Sequence, residues 1–185
     1  MSIYIDGAYS FSLSQNQLLE LRLHSGREIS EPELADFKRA SDFGKLLERT
    51  LNFMLIRPRS RRELADYLRR KKAEPQQQTD VTSYLETKGY VSDAAFAKSW
   101  VRSRQATRPV STRRLIMELR QKGVSNDDIT AALNENNYDE QHALQQLITK
   151  KRRLTRYQDP QKLMHYLLRQ GFGYEVIKQA TMDEL

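Results

Sequence analysis

The 185 residues carry 31 Lys and Arg against 24 Asp and Glu, a net charge of +7, with 38% hydrophobic and 30% charged residues; so thin an apolar share suits an elongated stack of small helical units, each with a narrow apolar stripe, better than a compact enzyme with a deep pocket. Cysteine is absent, which excludes disulfides, thiolate metal sites and a thiol nucleophile, and His24, His142 and His165 stand too far apart to suggest zinc. No apolar run approaches membrane-spanning length and the N-terminus lacks the basic start of a secretory signal, so a cytoplasmic location is expected.

Along the chain, residues 1–41 stand apart as an extension with a net charge of −2. Ile3, Ile5, Tyr9, Phe11 and Leu13 flank Asp6-Gly7, which predicts a short β-hairpin with an Asp-Gly turn. A short helix over 14–23 follows, and Pro32 marks the start of another. Positive charge concentrates further on: residues 42–107 carry +6 and 108–154 carry +3, while the remainder balances. A polyanion, whether nucleic acid or an acidic protein surface, is the natural partner of that middle zone.

From residue 42 the sequence repeats. At an offset of 48, Ser111 maps to Asp159, Leu115 to Leu163, Leu119 to Leu167, Gly123 to Gly171 and Ile129 to Ile177. Taken backwards, the same offset relates Val81 to Ile129, Leu85 to Leu133 and Tyr90 to Tyr138, while Ser60, Leu64 and Leu68 match Ser111, Leu115 and Leu119 at an offset of 51. Repeats at such a period indicate stacked supersecondary units. The expected fold is therefore all-α: three tandem three-helix repeats over 42–89, 90–137 and 138–185, in an elongated array behind the extension 1–41.

Helices are predicted over 42–56, 60–72 and 78–88, then 93–106, 111–122 and 125–135, then 139–156, 159–170 and 173–183. Ser60, Ser111 and Asp159 are N-cap types at the start of each second helix, Ser60 with Glu63 as a capping box, and Pro58, Pro109 and Pro160 punctuate the same places. Gly123 and Gly171 suit left-handed C-termini. The segment 73–79 reads as a lengthened loop and a hinge. Leu47, Leu51, Met54 and Leu55, then Phe96, Trp100 and Val101, then Ala143, Leu144, Leu147 and Ile148 form core stripes. Trp100 and Tyr90 are expected to be buried with them rather than to stack on a base.

Four basic clusters are the candidate partner-binding residues: Arg57, Arg59, Arg61 and Arg62; Arg69, Arg70, Lys71 and Lys72; Arg102, Arg104, Arg108, Arg113 and Arg114; and Lys150, Lys151, Arg152, Arg153 and Arg156. Single clusters merely solvate a helix face, but the first, third and fourth recur at matched positions, between the end of helix one and the start of helix two, which points to a positive stripe. Arginines in the first turn of a helix oppose its dipole, a local cost that suggests a ligand. The third helices offer Thr82, Ser83 and Glu86, or Asp127, Asp128 and Asn134, poor equipment for reading bases, so contact without sequence preference is expected. No Gly-rich phosphate loop, nucleophile elbow or paired His ligands occur, so neither catalysis nor a cofactor is expected.

Arg57-Pro58-Arg59-Ser60 with Glu63-Leu64 and Leu68, Gly89-Tyr90 with Asp93, Phe96 and Ala97, Glu118-Leu119 with Lys122-Gly123-Val124, and Leu167-Leu168-Arg169-Gln170-Gly171-Phe172 with Tyr174 and Ile177 together resemble the RecX family of bacterial recombination regulators. The resemblance spans residues 42–185 in order and with matching spacing. It departs at Ala73-Glu74-Pro75, where a Lys-Gly pair is usual, and in the variable first forty residues. It implies a non-catalytic modulator that binds the RecA filament on single-stranded DNA as a monomer and restrains ATP hydrolysis, strand exchange and filament growth. The alternative is a DNA-binding module, for single-stranded or duplex DNA, acting without RecA.

Overall fold

The computed structural model describes residues 1–182. The described residues form a two-stranded sheet and a succession of α-helices: β1 (Ser2–Ile5), β2 (Ala8–Ser12), α1 (Gln15–Glu20), α2 (Glu31–Leu55), α3 (Arg61–Arg70), α4 (Pro75–Thr87), α5 (Asp93–Thr107), α6 (Thr112–Gln121), α7 (Asn126–Glu135), α8 (Glu140–Arg152), α9 (Pro160–Arg169) and α10 (Tyr174–Met182), with a 3₁₀ turn at Thr155–Tyr157 before α9. The expected end of the last helix at 183 lies outside the described residues. Among them, no helix is long and apolar enough to cross a membrane. Contacts divide the chain into two units: Met1–Arg57 with Leu64–Val91, and Pro58–Glu63 with Ser92 onward.

The first unit begins with the antiparallel hairpin, whose turn residues Asp6 and Gly7 both have positive φ, 51° and 80°. That is the conformation a two-residue turn of matching twist requires and Asp-Gly supplies. Phe11 and Leu13 from β2 and the residue after it meet Phe37 of α2 in a small core of their own. Ser41 Oγ donates to Ser12 O (2.6 Å), and Gln17 Nε2 donates to Ala40 O (2.6 Å) across Gly44, where any Cβ would run into the Gln17 side chain. The extension is thus tied to α2 by partly buried polar contacts.

One helix differs from expectation at this point. Ser30 caps α2, with Glu33 completing a capping box and Pro32 in the first turn, and the helix runs without interruption for 25 residues to Leu55. The helix expected to open at Pro32 and the one expected from 42 are therefore one, because no glycine or proline between 33 and 42 stops it once Ser30 and Glu33 have started it. Further along α2, Met54 joins Leu64 and Leu68 of α3, Val81 and Leu85 of α4, and Val91 in the core of the first three-helix unit.

The segment 73–79 is also not the expected loop. Glu74 N–H donates to Gln77 Oε1 (3.0 Å), Pro75 occupies the first helical turn, and α4 starts there, three residues ahead of the predicted 78. Gln78 Nε2 donates to Ala73 O (2.8 Å), closing the connection further. Proline at N1 lacks only an N–H that the helix would leave unused, so the segment starts a helix.

In the second unit, Phe96, Ala97, Val101, Val110, Leu115, Leu119, Val124, Ile129 and Ala132 form one core. Ala143, Leu144, Leu147, Ile148, Leu163, Leu167, Phe172 and Ile177 form the next. The pairs Leu64/Leu68, Leu115/Leu119 and Leu163/Leu167 are almost wholly inaccessible in each repeat, so the 48- and 51-residue offsets mark equivalent burial. Ser111 and Asp159 cap α6 and α9 as the sequence indicates. The backbone N–H groups that Asp159 accepts, led by that of Lys162, hold its carboxyl below the ordinary carboxylate range.

Tyr90 is the clearest correction within the stripes, since it is 50% exposed rather than buried. Its equivalent Tyr138 packs between the two cores of the second unit and donates its hydroxyl to Val110 O. Burial pushes the Tyr138 phenol up, only partly countered by that bond. The connection after α4 is one residue longer than the one after α7, and the additional Val91 takes the buried place (6% exposed), leaving Tyr90 outside.

Candidate functional site

The basic residues separate into those that hold the helices together and those that face solvent. The N-terminus of α6 meets the C-terminus of α9: Ser111 N–H donates to Gln170 O (3.2 Å), and Arg114 Nη1 donates to Arg169 O (2.7 Å) and Gln170 Oε1 (3.1 Å). Gly171, at φ 91°, packs against Ser111 Oγ and Arg114 Cβ so closely that a side chain there would collide with the hydroxyl. The first turn of α3 repeats the arrangement on the end of α6. Gly123 lies under Arg62, a Cβ there being 3.0 Å from Arg62 Cβ, and Lys122 Nζ pairs with Glu63 Oε1 at 2.6 Å.

This joint overturns one inference from the sequence. Arg114 at a helix start was expected to signal an external ligand, but its guanidinium sits on the carbonyl end of a neighbouring helix, where positive charge is favourable. The local cost is offset inside the protein.

A second internal partner is Glu118, whose side chain is only 17% exposed. Its Oε2 accepts from Arg104 Nε (2.8 Å) and from Trp100 Nε1 (3.1 Å), and its Oε1 accepts from Arg114 Nε (3.4 Å). Arg104 lies 4.9 Å and Lys122 5.5 Å from the Trp100 ring centre, so both cations also face the indole. Trp100 is therefore part of the core edge, as its place in the stripe predicts, and Arg104 and Arg114 serve structure. Glu118, Lys122 and Glu63 were not among the site residues expected from sequence. The available signal was a carboxylate three residues after Leu115 and one before Leu119, at the margin of an apolar stripe.

The remaining cations are placed as follows. Arg69 pairs with Asp66, Arg70 Nε donates to Asp66 O (3.3 Å), Lys71 lies over Tyr67 (5.5 Å), and Lys72, at φ 56°, closes α3, so this cluster belongs to a helix C-terminus in the first unit. Arg57 and Arg61 are exposed and Arg59 half-buried; the backbone N–H of Arg61 donates to Asp93 Oδ1 (2.8 Å). Lys151 is drawn over Tyr166 (4.6 Å) and Tyr157 (5.2 Å), and Arg156 over Tyr157 (5.8 Å). Arg152 is exposed at the end of α8. Arg62, Arg102, Arg108, Arg113, Lys150 and Arg153 are exposed and lie within 4 Å of no carboxylate among the described residues. Lys150 and Arg153 edge a groove between α8 and the end of α5. No group of three or more His, Asp or Glu side chains that could hold a metal occurs among the described residues.

Residues 92–133 match the family description "RecX, second three-helix domain" and residues 138–181 match "RecX, third three-helix domain". The chain belongs to the RecX family. Curated relatives named regulatory protein RecX agree along the whole chain. That of Bacillus subtilis strain 168 is 28% identical over 189 residues, covering 100% of this chain and 71% of the relative. That of Enterococcus faecalis is 28% identical over 183 residues, covering 96% and 69%. A crystal structure of regulatory protein RecX superposes with a TM-score of 0.73 at 24% identity, over 97% of this chain and 91% of the other. RecX from Lactobacillus salivarius gives 0.62 at 22% identity, over 78% and 97%. At that identity the two structures share the fold, and RecX membership makes the chain a regulatory protein built from three-helix domains.

Proposed function

We propose that this RecX-family chain regulates the RecA recombinase without catalysing a reaction: it binds the RecA filament on single-stranded DNA, as a monomer, and restrains ATP hydrolysis, strand exchange and filament growth. The observation that carries the reading is the division of labour among the cations. Arg104, Arg114 and Lys122 are consumed by Glu118, Glu63 and a helix end, while Arg62, Arg102, Arg108, Arg113, Lys150 and Arg153 stay exposed with no carboxylate partner among the described residues. Exposed, unneutralised arginine supplies bidentate contacts to phosphate or carboxylate. Such residues recur in successive three-helix repeats of the sequence, and repeated contacts of this kind gain avidity on a repeating target.

RecA-catalysed ATP hydrolysis on single-stranded DNA, measured with substoichiometric amounts of the protein, tests this. The expected result is a fall in the steady-state rate, and unchanged hydrolysis would refute it. The exposed cations also favour a second reading, a DNA-binding module acting alone. It requires tight binding to naked DNA with a steep loss on adding salt.

A further inference from the structure

Between the C-terminal end of α5 and one face of α8 lies a groove of about 470 Å³. We infer that this groove is a docking site for an acidic peptide segment of a partner protein, one that carries a single apolar side chain between carboxylates. The inference deepens the proposed role, since it rests on the chain being a regulator that acts on another protein.

Three features define the occupant. The floor is apolar: Pro109 and Leu147 line it and are themselves buried against the core, so an apolar side chain entering from solvent would lose water against a preformed surface. The α8 wall is a polar stripe from His142 through Gln146 and Lys150 to Arg153, successive residues three or four apart and therefore on one helix face, running roughly 16 Å at the rise of an α-helix. Lys150 and Arg153, one turn apart at its basic end, lie within ion-pairing distance of no carboxylate among the described residues. No Asp or Glu lines the groove. The cations are thus available to carboxylates.

The same lining argues against nucleic acid as the occupant. Single-strand sites combine a cationic track with aromatic rings on which bases stack. Here no Phe, Tyr or Trp lines the groove, and two cations do not make a track.

The test uses the intact protein and a fluorescently labelled peptide of Asp and Glu with one central Leu. Comparisons are the same peptide with the Leu replaced by Ser, and labelled oligo(dT). Anisotropy should show saturable binding of the Leu peptide and at least tenfold weaker binding of the Ser peptide. K150E/R153E, two exposed positions, should weaken the Leu peptide tenfold or more. Ala106→Trp, an exposed groove residue whose enlargement fills the site, should abolish binding while leaving the circular dichroism spectrum and melting temperature unchanged. No binding of the Leu peptide, equal binding by A106W, or displacement of the peptide by oligo(dT) would each overturn the inference. Recombinase hydrolysis measured with the same variants keeps the two ideas apart. If wild-type protein inhibits and A106W inhibits equally, the groove fails and the regulatory reading stands; if wild-type protein leaves hydrolysis unchanged, the regulatory reading fails whatever the peptide does.

Discussion

Replacing Glu118 probes the joint between the structural cations most directly. Glu118→Ala removes the acceptor of three donors, Arg104 Nε, Trp100 Nε1 and Arg114 Nε. The Arg104 side chain is 21% exposed and that of Arg114 35%, so Arg104 is stranded in a mostly desolvated place while Arg114 keeps water and its bonds to α9. A charge-assisted hydrogen bond in such a setting contributes about 1.5–3 kcal/mol, and exposure discounts the Arg114 share to well under 1 kcal/mol. The expected loss for E118A is about 2–3 kcal/mol, which for a chain of this size is a fall of roughly 4–12 °C in melting temperature. Glu118→Gln, which keeps an acceptor but not the charge, should lose about half as much. Calorimetric or circular dichroism melts at neutral pH measure both. A double-mutant cycle with Arg104→Gln should return a coupling of about 1–2 kcal/mol. An E118A protein that melts with the parent, or a vanishing coupling, would refute the assignment of Glu118 as the anchor of these arginines.

Further outcomes follow from other parts of the structure. Gly171→Ala should destabilise more than Gly89→Ala, because both sites have positive φ, costing about 1–2 kcal/mol of backbone strain, but only at 171 would the methyl meet Ser111 Oγ; urea unfolding of the two variants checks the order. Tyr138, whose phenol is raised by burial, contributes stability that is fully present below the unfolded phenol value of 10.0 and is lost as pH rises through the higher folded value, so Tyr138→Phe should flatten the alkaline limb of the stability–pH curve. Asp159, held low by the N–H groups it caps, contributes stability present above the unfolded value of 3.8 and lost as pH falls through the lower folded value, so Asp159→Asn should remove part of the acid limb of the same curve. Hydrogen exchange should show the amides of 78 and 79 protected as helix rather than open as a hinge, since α4 begins at Pro75 and Gln78 N–H already donates to Glu74 O.

Much of this molecule was legible from local pattern. Apolar residues at helical spacing, Ser and Asp caps, and glycine after the second helices placed the hairpin and most helix boundaries to within a few residues, because each signal is satisfied within a few residues of itself. Two departures concern helix continuity: α2 runs on from its start beside Pro32 through the expected break at 42, and α4 starts early at Pro75, where Gln77 Oε1 accepts from Glu74 N–H. The place of Tyr90 in the repeat pattern points to burial, and a single additional residue, Val91, reverses it.

The sequence alone thus determined an all-helical repeat with its core and an excess of positive charge, since periodicity and charge are written along the chain. Which arginines are bound internally and which remain exposed only the tertiary structure decided. Arg114 and Arg169 are 55 residues apart, and Lys122 and Glu63 are 59 apart. Whether a guanidinium meets a carboxylate, a helix end or water depends on how helices distant in sequence pack, and no local signal encodes it.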